Sequence, residues 1–389
     1  MLSRRIPPAL DPNAWTLRLA QANASGQSVL DLTLTDPIRA GLAPLEQAAV
    51  ALAMVGAGPH APEPLGLHSA RAAIAAMLTT REIEPSVERI ALTSSTSESY
   101  AQLFRLLADS GEAVLAPTPS YPLFEALAHA EGLEHRPYRL AFDGRWHLDR
   151  DSLERAASRP GARILVVVEP NNPTGSCLDA PDREFVEALA ERRGMAIVSD
   201  EVFRTFPRPP ATSPLSSWLG PRRVPTFVLG GLSKLCGLPQ LKLGWIAASG
   251  PEPAVREAMA GLEWLGDLFL SVGGPVQAAL PALLLTRERF GLQVRARLAA
   301  NMAALAQLCE ECPALTLLPA EGGWSAVLRL PGMRHEEDWA LALLERGVAA
   351  HPGHFYDLVG GEHLVVSSMV EPRAFAEGCH RLGLLVDGF

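Results

Sequence analysis

The sequence predicts an α/β fold, with a mostly parallel central sheet flanked by helices and a smaller α+β domain after it. Three observations carry this. Apolar strand-like runs alternate with amphipathic stretches from about residue 65 to about residue 250, the pattern of a parallel sheet covered on both faces. Beyond about residue 275 the texture changes to a long helical stretch followed by two short strand-like runs. Polar clusters follow several of the strand-like runs, where open sheets of this kind bind ligands.

In chain order, strands are expected at residues 89–93, 113–117, 163–168, 195–199, 226–230 and 243–248. Helices are expected at 67–78, 98–107, 123–131 and 182–193, where apolar residues recur at helical spacing. The stretch 206–218 holds four prolines and reads as a surface loop. One long helix is expected over about 276–308, then strands near 315–318 and 324–330. The expected domains are 1–45, an N-terminal segment belonging to the small domain; 46–280, the large domain; and 281–389, the small C-terminal domain. There is no internal repeat or low-complexity segment.

The 389 residues are 48% hydrophobic and 20% charged, with a formal net charge of −9. An acidic chain lacks the basic field that nonspecific binding to nucleic acid or an anionic membrane needs, so a small-molecule partner is expected. Five cysteines make a poor disulfide framework and suit a reducing compartment. Cys309 and Cys312 have the spacing of half a zinc site, but no second pair accompanies them and no metal is expected. The first eight residues carry charge with no apolar run behind them, and no stretch approaches the roughly 18 apolar residues of a membrane span. The expected location is the cytoplasm.

Lys234 is the most informative residue. It lies between the strand expected at 226–230 and a Gly/Pro turn, in Gly-Gly-Leu-Ser-Lys-Leu-Cys-Gly-Leu-Pro-Gln-Leu-Lys-Leu-Gly-Trp over 230–245. An amine desolvated there favours its neutral form, the state that attacks a carbonyl. Around it, Ser94-Ser-Thr-Ser-Glu-Ser99 opens a helix after a strand and offers hydroxyls and free N–H groups to an anion, or simply caps that helix. Glu169-Pro-Asn-Asn-Pro-Thr-Gly175 and Asp200-Glu-Val-Phe203 also follow strands, though such residues serve equally as turn formers and caps.

Taken together, Asn172-Pro-Thr-Gly175, Ser199-Asp-Glu-Val202 and Ser233-Lys-x-x-Gly-x-Pro-x-x-Lys-x-Gly-Trp245 resemble the class I/II aminotransferases, fold-type I enzymes that use pyridoxal 5′-phosphate (PLP). The resemblance covers nearly the whole chain from Asp36-Pro37 onward. It implies that Lys234 forms the internal aldimine with PLP and moves the proton between Cα and C4′. Asp200 pairs with the pyridine nitrogen, Asn172 bonds the phenolic oxygen, and Tyr121 in Pro119-Ser-Tyr-Pro122 stacks on the ring. Ser95, Thr96 and Ser97 hold the phosphate, joined by Ser233 and Lys242. The region around His60 would reach the active site of a partner in a homodimer.

The implied activity is transfer of an amino group from a small-molecule donor to a 2-oxo acid or other carbonyl acceptor. The alternatives are a PLP-dependent lyase or cyclase of the same fold and a non-catalytic relative; a PLP-sensing regulator would need a DNA-binding domain for which little room precedes Leu67. Five positions depart from the family pattern. His60 and Phe203 stand where it usually has tyrosines, Gly231 replaces a serine, and Lys242 replaces an arginine, exchanging a bidentate fork for a point charge. Val365 falls where an arginine usually grips the α-carboxylate, with Arg373 near enough in sequence to substitute. Gly322-Gly-Trp324 and Pro352-Gly353 resemble stretches near the substrate pocket.

Overall fold

The computed structural model describes residues 12–42, 46–53, 62–209 and 214–388, together with residues 3, 5, 6 and 211. His60 lies outside the described residues. The chain opens with α1 (Ala14–Ala24), capped by the Asn13 side chain, then β1 (Leu30–Asp31) and α2 (Glu46–Ala53). Next come α3 (His68–Leu78), β2 (Ile90–Thr93), α4 (Thr96–Leu107), β3 (Ala113–Thr118), α5 (Leu123–Glu131), β4 (Glu134–Phe142) and β5 (Trp146–Leu148). The series continues with α6 (Arg150–Ser158), β6 (Ala162–Val168), α7 (Ala180–Arg193), β7 (Ala196–Asp200), β8 (Thr226–Gly231), α8 (Leu232–Leu235) and β9 (Gly244–Ser249). The remainder is α9 (Glu252–Asp267), α10 (Gly274–Leu284), α11 (Arg287–Glu311), β10 (Thr316–Leu317), β11 (Ser325–Leu330), α12 (Glu336–Glu345), β12 (Val348–Ala349), β13 (His351–Pro352), β14 (Glu362–Ser367) and α13 (Pro372–Asp387).

The central sheet runs β2-β9-β8-β7-β6-β3-β4-β5. Its middle strands, from β8 through β4, pair in parallel, while β9 and β5 run antiparallel to their neighbours. The sequence shows why: β6 reads Ile-Leu-Val-Val over four fully buried positions, as a strand covered on both faces requires. Apolar clusters lie on the two faces, one including Leu165, Ile197 and Val228, the other Val166, Val198 and Phe227. A second sheet, β10-β11-β14-β13, forms a further core with α11, α12 and α13. β1 pairs in parallel with β12, which ties the N-terminal segment to this part of the chain.

Two expectations need correction. The single helix over 276–308 is two helices, α10 and α11. Pro281 lies inside α10 and has no N–H to donate, the helix ends at Leu284, and α11 begins three residues later. The loop at 206–218 is not simply surface, because Phe206 and Trp218 are fully buried at its two ends. Phe206 packs on Trp324, and Trp218 Nε1 donates to Glu169 at 2.6 Å. The β4–β5 hairpin, α9, α12 and α13 lie outside the elements expected from the sequence.

Candidate active site

The carboxyl ends of β2, β6, β7 and β8 meet the N-terminus of β9, and the polar clusters of the sequence converge there. Asp200 ends β7 and accepts from Val202 N at 3.1 Å and from the Tyr100 hydroxyl at 3.1 Å. Burial pushes its pKa up to about 6, against the lowering effect of those hydrogen bonds and of Lys234. Lys234 sits in α8, a single turn directly after β8. Desolvation lowers its pKa to about 8, opposed by Asp36 and Asp200. Its Nζ lies 4.8 Å from the centroid of the Trp324 ring and 5.6 Å from that of Phe203, so aromatic faces wall one side of the amine.

Glycines let the backbone close around this amine. A Cβ at Gly244 would lie 3.0 Å from the carbonyl carbon of Ser95 and 3.1 Å from Thr93 Oγ1, so β9 passes tight against the start of α4. A Cβ at Gly231 would lie 3.2 Å from Leu243 O and 3.3 Å from Gly244 Cα. The absence of a serine at 231 therefore has a local cause: a side chain there would press on backbone. Gly175 adopts φ +66°, and a Cβ on it would fall 2.5 Å from Gly322 O.

Ser95 is the N-cap of α4, accepting from Glu98 N at 3.2 Å, while Glu98 takes the backbone N–H of Ser94 in return. This reciprocal cap starts α4 at Thr96, earlier than the expected residue 98. Thr96 and Ser97 occupy its first turn, and their backbone N–H groups meet no acceptor among the described residues. The capping reading holds: Ser95 caps, and the N–H groups of 96 and 97 stay open.

The adjacent asparagines divide the work of their loop. Asn171 is buried and braces it, donating to Pro119 O and Thr174 Oγ1, both at 2.9 Å. Asn172 accepts from the Ser325 hydroxyl at 2.8 Å, which leaves its amide N–H₂ free to donate. Behind the loop, the buried Glu169 carboxylate bonds Arg183, Trp218 Nε1 and Leu178 N. Tyr121 is exposed rather than packed in the core, on a loop held by Ser120 N donating to Tyr356 O at 3.1 Å. That bond links the turn after Pro352-Gly353 to the Tyr121 loop.

The structure thus gathers Lys234, Asp200 and Phe203 with Trp324, places Asn172 on Ser325, and sets Ser95 against Gly244. Ser233 adjoins Lys234 on α8. Lys242 is exposed in a left-handed conformation, φ 51°, with no ion-pair partner among the described residues. Val365 is buried in β14 opposite Val327 and His351, so an apolar side chain occupies that position. Arg373 lies exposed in the first turn of α13 beside Glu371. The sequence reading missed Tyr100, which looks like an ordinary apolar-face residue of α4, and Ser325, which lies more than 150 positions from Asn172. No group of three or more metal-ligating side chains occurs among the described residues, and no helix among them is long and apolar enough to cross a membrane.

Fold and cleft together define an α/β protein that presents a half-buried lysine–carboxylate pair beside an open helix N-terminus. The comparisons with known proteins agree. An alanine aminotransferase from Pyrococcus furiosus superposes with a TM-score of 0.87 at 21% identity, covering 96% of each chain, which shows the fold-type I architecture. Nicotianamine aminotransferase 1 of Oryza sativa subsp. japonica is 30% identical over 236 residues, covering 59% of this chain and 47% of the relative. Glutamate-pyruvate aminotransferase AlaA of Escherichia coli strain K12 is 29% identical over 220 residues, covering 56% of this chain and 54% of the relative. The chain thus matches about half the length of these curated relatives. The model of the class I and II aminotransferases matches residues 41–381. The chain belongs to that family, whose members are generally PLP-dependent.

Proposed function

We propose that the protein is a PLP-dependent aminotransferase, moving an amino group from a small-molecule donor to a 2-oxo acid or other carbonyl acceptor. The observation that carries this reading is the pairing of a half-buried amine, Lys234, with a half-buried carboxylate, Asp200, in one cleft, each with its pKa shifted toward the neutral form by desolvation. The cleft fits the cofactor. The Gly231–Gly244 approach is a cradle that a Cβ would fill, the N–H groups of Thr96 and Ser97 are open to an anion, and Asp200 is a half-buried carboxylate facing the cleft.

When bound, PLP supplies an electron sink for the substrate's Cα–H bond. Ser95, Thr96, Ser97 and Ser233 would hold its phosphate, with Lys242 adding positive charge. Asp200 would keep a proton on the pyridine nitrogen, Asn172 would donate its amide N–H to the phenolic oxygen, and Tyr121 would cover the ring. Phe203 has no hydroxyl, so Asn172, oriented by Ser325, would hold the phenolic oxygen without help from position 203. Lys234 Nζ, its pKa lowered to about 8, would take the proton from the substrate's Cα and deliver it to C4′. The Trp324 and Phe203 rings exclude water from that amine.

The protein would work as a homodimer in the cytoplasm. Trp264, Leu268 and Phe269 present exposed apolar surface at the end of α9, which supports such a contact. Val365 puts an apolar side chain, not a cation, at this position of β14, so β14 would offer a substrate carboxylate no partner there.

The test is spectroscopic. Purified protein is titrated with PLP and then with single amino acids and amines while the visible band is followed. A visible band that a donor bleaches, with release of the matching carbonyl product, supports the reading. Absence of any band with added PLP contradicts it, and release of ammonia from the donor would make the protein a lyase.

A further inference from the structure

Tyr100 projects from α4 into the floor of the cleft beside Asp200. It is 3% exposed, and its ring packs edge-on against Phe124 at 5.1 Å and tilted against Phe104 at 5.8 Å. Its hydroxyl donates to Asp200 Oδ2 at 3.1 Å. The other oxygen, Oδ1, takes Val202 N at 3.1 Å. The backbone and one phenol thus hold the carboxylate by its two oxygens, and the phenol comes from a helix remote in sequence.

The position of Tyr100 on α4 gives this contact its meaning. It follows Thr96 by four residues, one helical turn along the same face. The helix that offers open N–H groups at residues 96 and 97 therefore also grips Asp200 one turn further on. The rise over that turn is about 6 Å. A single rigid element sets the spacing between the anion end of the cleft and its carboxylate.

We infer that Tyr100 is the positioning residue for Asp200, fixing its orientation and keeping it a weak base so that a proton shared with a bound pyridine nitrogen stays on the nitrogen. The inference rests on the PLP reading above. A phenol donating to a carboxylate stabilises the anion and lowers its proton affinity. The charged or titratable groups that face Asp200 are Tyr100 from α4, Lys234 from α8 and Glu201 from its own chain segment. Tyr138 of β4 approaches Tyr100 from behind, with its own hydroxyl donating to Val166 O at 2.8 Å. Burial and the nearby Asp200 raise the Tyr100 pKa well above its ordinary value, so the phenol remains a donor at every working pH. Lys234 lowers the proton affinity of Asp200 and Glu201 raises it; Tyr100 is the one neutral side chain among these that donates to it directly.

The test substitutes Tyr100→Phe, which keeps both ring contacts and removes only the hydroxyl. In the apoprotein, ¹³C NMR of labelled aspartate follows the Asp200 carboxyl. Its midpoint should rise by about one pH unit from the wild-type value, the size expected for losing one hydrogen bond to a charged group. Wild type and variant are then loaded with PLP labelled with ¹⁵N in the ring. The wild-type nitrogen should give the shift of a protonated pyridine, and the variant should move toward the unprotonated value. An unchanged midpoint together with an unchanged ¹⁵N shift would overturn the assignment of Tyr100. A wild-type protein that takes up no PLP would overturn the cofactor reading itself, an outcome separable from the first because the apoprotein titration needs no cofactor.

Discussion

Lys234 Nζ lies 4.8 Å from the centre of the Trp324 ring, although Lys234 sits in α8, Trp324 just precedes β11, and the two are 90 positions apart. The amine is held where its neutral form is favoured because the indole shields it, while Asp36 and Asp200 pull the other way. Trp324→Leu admits water to that side. The Lys234 pKa should rise from about 8 toward the ordinary lysine value, by about one unit. Mass-spectrometric measurement of acylation at Lys234 against pH checks this, and the variant should label more slowly than wild type at pH 8.

A second consequence concerns Asp200 and the stability of the apoprotein. In the folded chain the carboxyl keeps its proton up to about pH 6, whereas its ordinary value is 3.8. The folded state therefore binds more protons over that interval, and this group makes stability fall as pH rises from about 4 to about 6. Asp200→Asn removes the buried charge. The variant should be more stable than wild-type apoprotein at pH 8 by on the order of 3 kcal/mol, with the gap closing below about pH 4. Urea unfolding at both pH values reads the difference, and PLP affinity should be lost in the same variant.

The buried Glu169 supports the Asn171–Asn172 loop through Trp218. Its carboxyl is pushed up to about 7 by burial, despite Arg183 and the bonds from Leu178 N and Trp218 Nε1. Trp218→Phe deletes one donor to this group. The loss should be about 1–3 kcal/mol at pH 8 and smaller at pH 5, where Glu169 is protonated and needs the donor less. Thermal or urea unfolding at the two pH values separates this from a simple packing defect, which would not depend on pH.

Much of this candidate site was legible from the chain alone, because its polar residues come at or just after the ends of apolar strands and carry local signatures. Asn172, Asp200 and Lys234 each follow a β-run with turn chemistry behind it, so strand ends and motif spacing point at the same edge of the sheet. Tyr100 was not legible: a tyrosine on the apolar face of a helix has the pattern of a core residue, and only the tertiary fold brings its hydroxyl to Asp200. Ser325 was hidden by distance, since its contact with Asn172 spans 153 positions. The break between α10 and α11 was masked by continuous helical periodicity, which one proline interrupts. The β4–β5 hairpin at the sheet edge alternates buried and exposed residues only over part of its length, which weakens the strand signal.

Gly231 bears on how the site was built. With a Cβ 3.2 Å from Leu243 O, a hydroxyl side chain there would need the facing backbone of β9 to give by a few tenths of an ångström. Gly231→Ser should destabilise the protein by about 1–3 kcal/mol and bring no gain in PLP affinity. Urea unfolding and PLP titration of the variant check both parts, and tighter PLP binding without destabilisation would show that the strands have room to spare.

The account turns on Lys234 as the amine that carries the cofactor. Protein incubated with PLP is reduced with borohydride, digested and mapped by mass spectrometry. The account predicts the pyridoxyl mass on the peptide containing Lys234, and its disappearance in Lys234→Ala while the fold is retained. Stable modification of another lysine, or equal labelling of Lys234→Ala at a single site, would contradict it.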